Sequence, residues 1–74
     1  MNMSYAVILV DSTSHAVRIE KLLAPTDIVC KLIPVPRHLS SDCGVCIRID
    51  QDDMERIRQL LDQSNAPFRS IEVI

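Results

Sequence analysis

The stretch Ile33-Pro34-Val35-Pro36-Arg37-His38-Leu39-Ser40-Ser41-Asp42-Cys43-Gly44-Val45-Cys46-Ile47-Arg48 decides how this chain folds. Ile28 to Val35 reads as a strand, yet Pro34 and Pro36 sit two residues apart at its end. Positions two apart in a strand point their backbone N–H groups to the same side, so the two missing donors lie together. Proline is tolerated in a sheet where that side is an unpaired edge, which places this strand at an edge. Arg37 to Gly44 reads as the connecting loop. Val45-Cys46-Ile47-Arg48-Ile49 is the next strand, with Val45, Ile47 and Ile49 on one face and Cys46 and Arg48 on the other.

Upstream, Tyr5-Ala6-Val7-Ile8-Leu9-Val10 is apolar at both parities and rich in β-branched residues. That pattern predicts a strand buried on both faces, hence central. Asp11-Ser12-Thr13-Ser14 supplies side-chain oxygens able to cap the free N–H groups of a helix start. From His15 the period turns helical, with Ala16, Ile19 and Leu23 on one stripe. Pro25 is expected to end this helix by pushing Ala24 out of α space. Downstream, Asp50 suits the N-cap of a second helix whose stripe is Met54, Ile57 and Leu61. Asn65 can take the left-handed conformation at its end, Pro67 prevents continuation, and Ser70 to Ile74 is a last short strand.

The order is therefore β-α-β-β-α-β. With connections this short, it predicts an α+β fold of the ferredoxin-like split βαβ type. Its four-stranded antiparallel sheet has the first and third strands in the centre and both helices on one face. The 74 residues are expected to form one domain over 1–74, with an aliphatic core, since Tyr5 and Phe68 are the only aromatics. Tyr5, Val7 and Leu9 cannot all face the helices, so an exposed apolar sheet face and a homodimer are expected, unless side chains shield that face locally.

A net charge of −2 and the lack of a basic stripe or an aromatic platform argue against nucleic-acid binding. The run Ala6 to Val10 is too short to cross a membrane, and Met1-Asn2-Met3-Ser4 lacks the cation of a signal peptide. Three cysteines, an odd number without secretory context, favour reduced cytoplasmic thiols.

Cys43-Gly44-Val45-Cys46 has the C-x-x-C spacing of dithiol redox sites and zinc knuckles. A strand rather than a helix follows it, and extended residues carry the two sulfurs apart. A zinc site would have to draw on Cys43, Cys46 and His38 with Cys30 or His15, a thin set, and neither a metal nor a cofactor is expected. A single nucleophilic thiol at Cys43 asks for less. Arg37 and His38 supply positive charge, Ser40 and Ser41 hydroxyl donors, and Gly44 backbone room. The alternative is that Cys43 merely fills a loop. Cys30 and Cys46, set among apolar residues, suit the core. His15 at a helix start is a proton shuttle for Cys43 or simply part of that start.

The first strand leading into Ser12-Thr13-Ser14-His15-Ala16, then Glu20-Lys21-Leu22-Leu23, Lys31 to Arg37, Leu39-Ser40-Ser41 and Cys43-Gly44 through Arg48 together resemble a small bacterial selenium/sulfur carrier-like family. Pro34-Val35-Pro36-Arg37 followed by Ser40-Ser41-x-Cys43-Gly44 is the specific part. The resemblance implies a carrier rather than a turnover enzyme. Cys43 would accept sulfane sulfur or selenium from a donor protein and pass it to an acceptor protein, with Arg37, Ser40, Ser41 and Gly44 shaping the site. Cys46 departs from the family pattern and is either a resolving thiol or an inert strand residue. Ala24-Pro25 stands where family members carry glycine near the helix end. The alternatives are a non-catalytic interaction or dimerisation module and a Cys43–Cys46 dithiol redox protein.

Overall fold

A computed structural model describes residues 4–39 and 44–74. Its elements run β1 (Tyr5–Leu9), α1 (Thr13–Leu23), β2 (Cys30–Pro34), β3 (Val45–Asp50), α2 (Met54–Gln63) and β4 (Ser70–Val73). The four strands form one sheet in the order β2-β3-β1-β4, and every neighbouring pair is antiparallel. This is the expected split βαβ arrangement, with β1 and β3 central. The proline reading of β2 holds in detail. The Val35 amide donates inward to the Gly44 carbonyl at 3.1 Å, so the nitrogens of Pro34 and Pro36 fall on the free side of the edge strand.

Both helices bury their stripes on one face of the sheet. Ala16, Ile19 and Leu23 of α1 and Ile57 and Leu61 of α2 join Ala6, Ile8, Ile47 and Ile49 in one cluster. Each of the isoleucine and leucine side chains among them contributes about 1.5–3 kcal/mol when fully buried, which supplies the core that two aromatics cannot. Among the described residues no helix is long and apolar enough to cross a membrane.

The helix ends follow their local chemistry, with two departures from the sequence reading. Ser12 caps α1, its Oγ accepting from the His15 amide at 3.3 Å. At the other end Ala24 stays in α space (φ −56°, ψ −42°) despite preceding Pro25. The helix stops because proline has no N–H to continue the ladder, and Thr26 turns back instead. Its amide and its hydroxyl donate to the Leu23 carbonyl at 3.0 and 2.6 Å. Asp50 caps a 3-10 turn over Gln51–Asp53 rather than α2 itself, accepting from the Asp52 amide at 3.1 Å. Asn65 adopts φ 52° as expected. The amides of Asn65 and Ala66 return to the carbonyls of Asp62 and Leu61, the pairing of a Schellman close.

The second face of the sheet is covered from within the chain. Val7 and Cys46 are wholly inaccessible and Leu9 nearly so, packed under Ile33, Val35 and Leu39. Of the two readings of this face, the shielded one holds at Val7 and Leu9 and the bare apolar one does not. β2 extends past its ladder, and the turn closed by the Leu39 amide on the Pro36 carbonyl at 3.0 Å brings Leu39 back across the sheet. Among the described residues the large apolar side chains left exposed are Val29, beside the β2 edge, and Val73 and Ile74, at the β4 edge.

Candidate functional site

The antiparallel register gathers the loops of interest at one end of the sheet. Leu9 pairs with Cys46 and Pro34 with Val45, so the end of β1, the end of β2 and the start of β3 lie side by side. The start of α1, the 36–39 turn and Gly44 thus share this end. Here α1 presents His15, half-buried one turn into the helix. Arg37 and His38 are exposed on the turn, and Gly44 is exposed where β3 begins. Arg69 also reaches this end, its amide donating to the Leu9 carbonyl at 2.7 Å and its guanidinium lying 3.8 Å from the Asp11 carboxylate. Ser40, Ser41 and Cys43, three of the expected site residues, lie outside the described residues.

Gly44 is the fixed point next to Cys43 in the chain. It has φ +81°, a left-handed conformation that glycine takes without the penalty of a Cβ. Among the described residues a Cβ built there would meet nothing within 4 Å, so it is the backbone angle that calls for glycine.

The remaining thiols stand in different surroundings. Cys46 is wholly buried on the covered face, and its Sγ donates to the Pro34 carbonyl at 3.9 Å. Cys30 lies on the opposite face, half-buried against the helix-side core. Burial, and secondly the negative charge of Glu20, push the Cys30 thiol above its ordinary range, so it holds its proton at neutral pH. Because Cys30 and Cys46 face opposite ways, they cannot ligate one ion together. Among the described residues no cluster of three or more His, Cys, Asp or Glu side chains is placed to hold a metal.

Two features escaped the sequence reading. Leu39 reads as one residue of a loop, and its packing against the Val7, Leu9 and Cys46 cluster is a tertiary contact with no local signal. The Arg48 guanidinium stacks over the Tyr5 ring at 4.4 Å from its centroid. Alternation puts both residues on the face away from the helices, but only the register, with Val7 opposite Arg48, makes them diagonal neighbours.

A protein-family model described as "Putative Se/S carrier protein-like" matches residues 5–72. The match runs from the first residue of β1 nearly to the end of β4 and takes in the whole β2–β3 connection. No curated protein and no solved structure matches the chain.

Proposed function

The chain belongs to the Se/S carrier protein-like family, and from that premise we propose that it carries sulfane sulfur or selenium on the thiol of Cys43. In the sulfur case the Cys43 thiolate attacks the terminal sulfur of a persulfide on a donor protein. The donor's S–S bond breaks as the Cys43 S–S bond forms, and the donor leaves as a thiolate with the bonding electron pair. One persulfide is exchanged for another, so there is no net oxidation or reduction. A nucleophile on an acceptor protein then takes the terminal sulfur and returns Cys43 to its thiolate. Selenium would travel as the corresponding S–Se adduct.

The observation that carries this reading is the family match over residues 5–72, which includes the Pro34–Gly44 motif with its cysteine. The other thiols support it by their surroundings. Cys46 is wholly buried in the cluster that Ile33, Val35 and Leu39 pack against, and Cys30 is held protonated against the core. Neither suits attack on a protein-bound persulfide, which needs an accessible thiolate. Arg37 and Gly44 would shape the site from the described side of the loop, with Ser40 and Ser41 as donors and His15 as a helper in proton transfer. Cys46 is not required in this scheme. The interaction-module reading draws less support, because the apolar face on which it rested is covered by Ile33, Val35 and Leu39.

The test is to expose the reduced protein to a cysteine desulfurase and cysteine, then to locate any adduct by differential alkylation and peptide mass. A reducible gain of one sulfur on the peptide holding Cys43 supports the carrier. Sulfur found instead on Cys30 would overturn the assignment.

A further inference from the structure

At the other end of the sheet, where Tyr5 pairs with Asp50, a shallow pocket of about 160 Å³ is lined by Tyr5, Val29, Cys30, Lys31, Arg48 and Asp50. Lys31 and Arg48 are directly opposite in the β2–β3 register and share the face away from the helices. Like charges so placed repel and weaken strand pairing. Neither has an ion-pair partner among the described residues, where the cationic side chains in ion pairs are Arg56 with Asp27 and Arg69 with Asp11. The Tyr5 ring holds the Arg48 guanidinium by stacking at 4.4 Å, so its planar fork is oriented before any ligand arrives. Asp50 also lines the pocket, and one of its oxygens already accepts from the Asp52 amide at 3.1 Å.

We propose that this pocket binds a small organic monocarboxylate, with the carboxylate between Lys31 and Arg48 and the apolar body against Tyr5 and Val29. Two cations against one carboxylate leave one net positive charge, which a monoanion neutralises. The guanidinium fork matches a carboxylate in shape, and Lys31 adds a point charge beside it. Tyr5 and Val29 favour a ligand with an apolar body over a bare inorganic ion. The volume sets its size: a cavity of about 150 Å³ holds one benzene ring, whereas drug-sized ligands occupy roughly 300–1,000 Å³. The pocket lies at the end of the sheet opposite Gly44, so the inference stands or falls apart from the carrier reading.

The experiment is a titration of the ¹⁵N-labelled full chain with benzoate at constant ionic strength, with benzyl alcohol and inorganic phosphate as separate arms. The expected result is saturable shifts of the Tyr5, Lys31, Arg48 and Ile49 amides with benzoate and none that saturate with benzyl alcohol. Lys31→Gln and Arg48→Gln, each checked for a dispersed spectrum, should each weaken benzoate binding by about tenfold, the loss of one charged hydrogen bond. Benzoate shifts that never saturate or that scatter over the surface would overturn the proposal. So would equal binding of benzyl alcohol, tighter binding of phosphate, or unchanged affinity in both variants.

Discussion

The Val35 amide donates to the Gly44 carbonyl at 3.1 Å, one residue beyond the last β2–β3 pair, Pro34 with Val45. That bond closes the base of the loop that contains Cys43. It also ties Gly44, the residue joining Cys43 to β3 and itself at φ +81°, to the sheet.

Gly44→Ala is therefore expected to cost about 1–2 kcal/mol, the penalty of a Cβ in left-handed backbone. Since that Cβ would meet none of the described residues within 4 Å, the cost should be conformational, and Gly44→Asn should lose less. Urea unfolding of the two variants checks this. An unchanged midpoint for Gly44→Ala would show that φ +81° is not required.

Leu39→Ala should uncover Cys46. Leu39 is only half-buried, so the loss of stability should be about 1 kcal/mol, less than for a core leucine. Alkylation under native conditions, followed by peptide mass, should show Cys46 almost inert in the parent chain and clearly faster in the variant. Equal rates would mean that Leu39 does not guard it.

Much of this architecture was legible from single residues. Pro34 and Pro36 identified the edge strand because a missing donor has a direct geometric consequence. Asn65 identified a helix end because few residues accept positive φ, and Ser12 was one of four capping candidates in a row. Ala24 misled because the bias of a pre-proline residue away from α space is a preference, and the two hydrogen bonds from Thr26 to Leu23 accompany a helical Ala24 here. The sheet face reads as open between bare and shielded, and nothing local in Pro36-Arg37-His38-Leu39 decides for the shielded alternative by announcing that Leu39 packs against the Val7, Leu9 and Cys46 cluster. Of the candidate site, the motif around Cys43 and its family could be read from the sequence. The opposite orientations of Cys30 and Cys46 followed only once the strands were paired.

Cys30 should make stability fall with rising pH. Its thiol is pushed up in the folded state by burial and then by Glu20. The unfolded chain therefore loses this proton first, near the ordinary thiol value of about 8.5, and binds fewer protons than the folded chain above it. The contribution is complete below that pH and is lost as pH rises through the folded value. Urea unfolding across the alkaline range should give a steeper decline for the parent chain than for Cys30→Ala. Parallel curves would contradict the assignment.

Cys46→Ser should destabilise more than Cys46→Ala. The serine hydroxyl would be desolvated among Val7, Leu9 and Ile33, and even with the Pro34 carbonyl, which the Cys46 thiol meets at 3.9 Å, as its acceptor, burying a hydroxyl there costs more than burying the alanine methyl. Thermal unfolding of the pair gives the order, and a more stable serine variant would mean that the site is wetter than its packing implies.

The central claim is that Cys43 alone accepts the transferred atom, and the most direct measurement is intact mass after reaction with a cysteine desulfurase and cysteine, run on the parent chain, Cys43→Ser and Cys46→Ala. The expected result is a reducible gain of one sulfur in the parent and in Cys46→Ala, and none in Cys43→Ser. A gain that survives in Cys43→Ser, or that disappears in a folded Cys46→Ala, would contradict it.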